Sequence, residues 1–234
     1  VRDTAAILDV VSGPMPGDPY SAPAPARPFV TALTTPPGRL RIGFMTRAPR
    51  GIPLHAENRS AVEHTARVLE KLGHVVEESH PCDLDDTNAV TQYVNVVTSN
   101  TARALDAWGA RVGREVQQAD VEILTWALAS RGRHQSAPDL LAALDFVHAF
   151  GRRLAAWWEG GFDLLLTATQ SDPPPELGYL TSTPEEPVRA FIRAGPFGVF
   201  TLPFNLSGQP AISLPMHWTP DGLALSWVAR RWEN

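Results

Sequence analysis

Proline has no backbone N–H to donate and is expelled from helix interiors and central strands, so the placing of prolines bounds where regular structure can lie. Of the 22 prolines, ten fall between Pro14 and Pro53 and ten between Pro173 and Pro220, which leaves Pro81 and Pro138 for the long stretch between. The pattern predicts a helical middle between two loop-rich flanks. Although the proline content is roughly twice the usual ~5%, 44% of the 234 residues are hydrophobic, too many for a disordered chain. The length suits one large domain or two small ones with a sizeable core.

Periodicity fills in the elements. Val1 to Ser12 carries Ile7, Leu8 and Val11 on one helical stripe and ends at Gly13-Pro14. Residues 14–37 form a proline-rich loop, expected to run over the surface of something larger. Arg39 to Phe44 alternates as a strand. Glu57 to Leu72 aligns Ala61, Val62, Thr65, Val68, Leu69 and Leu72 on one helix face, Gly73 follows as the cap, and His74 to Glu78 reads as a second strand. Strand, helix and strand at this spacing form a βαβ unit and hence a parallel pair. Asp86 to Trp108 is rich in β-branched residues, but its length and lack of proline favour a helix. Val112 to Ser130 reads as another. Ser136 and Asp139 resemble a capping box, with Pro138 in the first turn of a helix that runs to Gly160-Gly161. The apolar run Asp163 to Thr167 is expected to be a central buried strand. Ala211 to Leu214, a turn at Pro220-Asp221-Gly222 and a strand from Leu223 to Ala229 complete the reading, an α/β chain.

Composition excludes several roles. A formal net charge of −5 and no basic run leave no electrostatic footprint for nucleic acid or an acidic membrane face, so neither is an expected partner. No apolar run approaches the ~20 residues of a membrane span. The single cysteine, Cys82, forbids an internal disulfide and a Cys-rich zinc site, and a reducing cytoplasm is the simplest setting. Of the 20 basic residues only Lys71 is a lysine.

Familiar catalytic signatures are absent: no Gly-x-Ser-x-Gly elbow, phosphate loop, His-Glu-x-x-His or dinucleotide fingerprint occurs. The densest ionisable cluster is His74, Glu77, Glu78, His80, Asp83, Asp85 and Asp86, with Cys82 inside it. His80 and Cys82 could in principle hold a metal or form a nucleophile pair, against the plainer reading of a strand end entering a solvated acidic loop.

The segment Phe200 to Pro215, FTLPFNLSGQPAISLP, is far more distinctive. It resembles the C-terminal stretch of the amidase signature family, with Phe200, Thr201, Pro203, Asn205, Gly208, Pro210, Ala211, Ser213 and Pro215 at the family's positions. Val1 to Gly13 is similar to the helix that follows the family's signature region, Asp18-Pro19 to its G-x-DP loop, and Arg39 to Phe44 to its LRIG strand. Leu72 to Val76 and Leu164 to Gly178 match further segments in the same order. The chain is thus read as the C-terminal part, residues 1–234, of a single amidase domain, in which helices surround a mixed twisted sheet.

What the resemblance implies is specific. Family members hydrolyse amides through a serine, a second serine in a cis linkage and a lysine that must be neutral to take up a proton. Here no two serines are adjacent, no Gly-Gly-Ser segment occurs, and Lys71 sits beside Glu70 near a helix end. No catalytic residue is therefore assigned, and the triad is expected in the half that precedes Val1. No metal and no cofactor are implied. The implied partners are a small-molecule amide and the N-terminal half of the same enzyme, with a homodimer of the full enzyme left open.

This half is expected to form the acyl-side pocket wall. The candidates are Tyr93 and Asn95, Gln170, and Phe197 with Gly198. Amidotransferase members usually carry an acid where Gly198 stands, and its absence argues against a charged amino-acid substrate, whose ammonium would be left unpaired. The wording FNLSGQPAISLPMHW resembles that of broad bacterial amidases, including those similar to 6-aminohexanoate cyclic dimer hydrolases. Two other readings compete: a non-catalytic binding module derived from this fold, and a hydrolase using His80 and Cys82.

Overall fold

In the computed structural model, residues 1–219 are described, together with the backbone of residues 224–225 and 228–230. Eight helices are found there: α1 (Arg2–Val11), α2 (Phe29–Ala32), α3 (Ala56–Lys71), α4 (Asn88–Val112), α5 (Ile123–Arg133), α6 (Ala137–Trp158), α7 (Arg189–Ala194) and α8 (Leu202–Ser207). Seven short strands accompany them: β1 (Arg41–Phe44), β2 (Val75–Glu78), β3 (Leu164–Leu166), β4 (Ala211–Ile212), β5 (His217–Trp218), β6 (Ala224–Leu225) and β7 (Val228–Arg230). Five of these form a mixed sheet in the order β2-β1-β3-β7-β4. β1 is parallel to both β2 and β3, and β7 runs antiparallel to β3 and β4. β5 and β6 make a separate antiparallel pair.

The βαβ unit forms as its periodicity dictates. α3 buries Asn58, Ala61, Val62, Thr65 and Ala66, and Gly73 supplies the left-handed residue after the helix at φ 94°. Leu72 lies past the last turn and is exposed, so the expected apolar stripe ends one turn early. β3 sits between β1 and β7, with Leu165 and Leu166 buried, as the continuous apolar run requires. The sheet and α6 share one core around Ile42, Phe150, Leu154, Leu165 and Phe200. Gly43 is what lets α6 approach: a Cβ there would lie 2.5 Å from the Trp157 ring and 2.6 Å from the Ser79 carbonyl.

α6 begins with the capping box read from sequence: the Ser136 hydroxyl accepts from the Asp139 N–H, and the Asp139 carboxylate accepts from the Ser136 N–H at 3.0 Å. The segment expected as one helix over Val112 to Ser130 is instead interrupted. α4 continues through Val112 and stops at Gly113, whose φ of 73° is left-handed, and α5 starts at Ile123 after a turn closed by the Arg114–Asp120 ion pair. α5 then crosses α4 at Gly132, where a Cβ would stand 2.0 Å from the Thr98 carbonyl.

Three further differences concern the flanks. The 14–37 segment is exposed almost throughout but contains α2, whose first N–H groups donate to the Asp9 carboxylate at 2.6 and 3.0 Å. Pro203, in a flank expected to be loop-rich, lies in the first turn of α8, a position that tolerates proline, and Gly208 ends that helix at φ 68°. The expected strand over Ala211 to Leu214 is observed as β4 alone. The Pro220-Asp221-Gly222 turn lies outside the described residues; of the expected strand from Leu223 to Ala229, β6 and the first residues of β7 are described.

Candidate functional site

In open α/β sheets ligands bind beyond the carboxyl ends of parallel strands. Beyond β3 the chain turns polar: Thr167 and Ser171 are buried, and the Thr167 hydroxyl is spent on the neighbouring Ala168 carbonyl at 2.8 Å. The start of α3 fastens this loop. The Asn58 side-chain amide donates to the Gln170 carbonyl, and the His55 N–H donates to the Ser171 carbonyl, both at 2.8 Å. On its other side the Thr169 hydroxyl lies 3.3 Å from that of Ser213, inside the distinctive C-terminal segment. Gln170 is thus half-buried on a loop tied at both ends.

Phe197 and Gly198 stand on the turn between α7 and α8. Val199 and Phe200 anchor it in the core, and the Gly198 carbonyl accepts from the Leu202 N–H at 3.0 Å and the Thr201 hydroxyl at 3.3 Å. The Thr201 side chain therefore fixes the turn. The Phe197 ring meets Tyr179 edge-on at 6.2 Å, and the Arg193 guanidinium stacks over Tyr179 at 4.8 Å. A Cβ at Gly198 would meet nothing closer than 3.8 Å, so packing does not demand a glycine there.

Tyr93 and Asn95 are both half-buried on α4. Two residues apart on a helix, they are rotated by about 200° and do not share a face. The Asn95 amide donates to Gln92 at 3.3 Å. α8, which follows the turn carrying Phe197 and Gly198, packs against both α4 and α6. Among the described residues, no hydrogen bond or ring contact joins any two of the five candidates. Neither Asn58 nor Ser213 was among the site candidates read from the sequence. Ser213 lay inside the recognised motif and could have been, whereas Asn58 sits on the buried stripe of an amphipathic helix, where nothing marks an asparagine as special.

The aspartates of the acidic cluster are paired with arginines. Arg153 bridges Asp83 and Asp86, and Arg47 holds Asp85 through two hydrogen bonds of 3.0 and 2.6 Å. The Arg47 guanidinium, with help from the Arg50 N–H, keeps the Asp85 carboxyl below its usual range against the opposing effect of burial. Burial first, and then Arg47, pushes His80 down, so its imidazole is held neutral. Cys82 is exposed with its sulfur 3.8 Å from the carboxylate of adjacent Asp83, and no hydrogen bond among the described residues joins it to His80. Among the described residues no group of three or more His, Cys, Asp or Glu is placed to hold a metal ion. Lys71 is exposed in the last turn of α3, where a cation is favoured by the helix dipole.

A family model described as Amidase matches residues 1–233. The chain belongs to the amidase family. As an amidase-family chain it is 36% identical to the 6-aminohexanoate-cyclic-dimer hydrolases of Pseudomonas sp. (strain NK87) and of Paenarthrobacter ureafaciens. Each alignment covers 96% of this chain and 47% of the relative. A solved 6-aminohexanoate cyclic dimer hydrolase complexed with substrate superposes with a TM-score of 0.93 at 33% identity, over 99% of this chain and 49% of that one. The chain therefore spans about half the length of the relatives it matches. Its α/β fold is that of the amidase signature enzymes, and no helix among the described residues is long and apolar enough to cross a membrane.

Proposed function

We propose that the chain forms the acyl-side wall of the substrate pocket of an amide hydrolase whose serine–serine–lysine chemistry lies in the half of the fold that its relatives carry and this chain does not. One observation carries the reading: an alignment with two cyclic-dimer hydrolases covering 96% of this chain but 47% of theirs, combined with a sequence that has no serine pair and a single, exposed lysine.

The division of labour follows from the chemistry. The serine hydroxyl attacks the amide carbonyl while its proton passes through the bridging serine to the neutral lysine. Backbone amides stabilise the oxyanion, the C–N bond breaks as the amine takes up the proton, and water then releases the acid from the acyl-enzyme. In this chain, Gln170 offers a polar side chain at the carboxyl end of β3. Phe197 offers an apolar surface, and Gly198 leaves the acyl side without a carboxylate. Such a wall suits neutral linear or cyclic carboxamides better than charged amino acids. The single cysteine suits a reducing cytoplasm.

The lack of a triad in the chain equally suits a binding module that has kept the pocket wall. Reading the coding sequence upstream of Val1 separates the two. A Ser-Ser signature and a lysine in the same frame are expected, with hydrolysis of 6-aminohexanoate cyclic dimer by the resulting enzyme. A start codon immediately before Val1 overturns the enzyme reading.

A further inference from the structure

We propose that Asn58 is a positioning residue that sets the height of Gln170 in the substrate-side wall; this rests on the pocket reading above. Asn58 is 2% exposed, on the first turn of α3. Its amide orientation is fixed because the Gln170 carbonyl can only accept, so the 2.8 Å bond comes from Nδ2. The other end of the side chain is left over: Oδ1 is buried with no partner among the described residues.

That arrangement is a poor way to gain stability. Burying a whole carboxamide to satisfy one bond leaves a desolvated acceptor whose cost is of the same order as the bond's benefit. Every other residue that α3 buries is Ala, Val or Thr, and the Thr65 hydroxyl is satisfied within the helix by the Ala61 carbonyl at 2.8 Å. An apolar side chain at position 58 would serve the core as well or better. What only the amide does is hold a loop carbonyl 112 residues away.

The loop it holds is otherwise tied by the His55 N–H on Ser171 and by Thr169 against Ser213. Both ties lie beside Gln170. Removing Asn58 Nδ2 frees the one residue between them, so the effect falls on where the Gln170 side chain stands and less on whether the loop stays attached. Asn58 touches no substrate in this scheme. It acts through Gln170.

The test is Asn58→Leu, with Asn58→Ser as the second variant in case leucine overfills the site; serine is too short to reach the Gln170 carbonyl. Hydrogen exchange of the 169–172 amides, melting temperature and kinetics are all measured on the full protein that carries this chain. Expected are a melting temperature within about 3 °C of wild type, loop amides exchanging about tenfold faster, and KM raised about three- to tenfold with kcat within about twofold. A lowered melting temperature with unchanged exchange and unchanged KM would mean that Asn58 is structural only and overturns the proposal. A wild-type enzyme that cleaves no amide defeats the pocket reading instead, and the exchange measurement still decides whether Asn58 holds the loop.

Discussion

Gly132→Ala is the most severe single-atom-group change the structure defines. The added Cβ would lie 2.0 Å from the Thr98 carbonyl oxygen, 2.5 Å from its carbon and 3.0 Å from the Ser99 nitrogen, all of them backbone atoms of α4. No side chain can swing aside, so α5 must move away from α4 by more than about 1 Å to reach van der Waals contact. The move breaks a specific set of bonds. Gln135 Oε1 accepts from Thr98 at 2.9 Å and from Ser99 at 2.7 Å, and the pair is worth about 2 kcal/mol. It also opens the small core of Ala102, Leu105 and Ala129, at a further cost of about 1–3 kcal/mol. The total of about 3–5 kcal/mol lowers the melting temperature of a chain of this size by about 8–15 °C. Tryptophan fluorescence during urea unfolding reads it, because Trp126 packs against that small core. A Gly132→Ala protein that unfolds within about 2 °C of wild type would refute the argument that the helix crossing is set by backbone contact.

Four further outcomes are expected. Gly43→Ala drives its Cβ into the Trp157 ring, which is stacked on Phe162 at 4.1 Å and donates to Ser79 at 3.1 Å; unfolding should become easier by about 2–4 kcal/mol, and Gly43→Ala/Trp157→Leu should be non-additive in a double-mutant cycle. Stability should fall toward acid in two stages. His80, held neutral when folded, contributes above its ordinary value of 6.5 and loses that contribution as pH drops through its folded value, and Asp85 follows below its ordinary 3.8; urea midpoints from pH 8 to 3 should show the first stage in wild type and not in His80→Gln. Gly198→Asp has room for its Cβ, so it should fold normally and turn substrate preference toward amides bearing a cationic group near the acyl carbon, measured as a ratio of kcat/KM values. The isolated chain should self-associate, seen by light scattering, and a monodisperse, cooperatively melting sample would contradict this.

Legibility from the sequence followed the range of the interaction involved. The α6 capping box, the βαβ unit and the buried DLLLT strand are written in residues within a few positions of one another, and all three form as read. The break after Val112 depended on whether Gly113 would adopt a left-handed conformation or sit inside a helix, which local propensity does not decide. α8 was hidden because FTLPFNLSG contains a proline that marks a strand boundary and the start of a helix equally well. The five site candidates came from resemblance, and the contacts that fix two of them cross sequence gaps: Gln170 to Asn58, and Phe197 to Tyr179. Tyr93 and Asn95 were named together on a segment read as a helix, and a pair spaced by two shares a face on a strand and not on a helix.

The N-terminal arm links the expected self-association to the proposed function. α1 is amphipathic as the sequence indicates, yet it buries only Ala5, while Ile7 is 60% and Val11 68% exposed. Its packing within the described residues is against α2, itself a single turn with no buried residue, whose N-terminus Asp9 caps. A helix of 10 residues is marginal alone and normally owes its stability to an apolar face packed on a core. At the far end of the sheet the edge strand β4 is also exposed, with Ile212 at 37%. An apolar helix face and an open sheet edge are two separate liabilities, and one partner that supplies both a packing surface and a strand removes both. The remaining half of the fold in the relatives is a body of the required size. Supplying it, fused or in trans, should suppress the scattering of the isolated chain and create the hydrolase in the same step. If scattering falls and no amide is cleaved, this chain has kept the docking surface without the pocket.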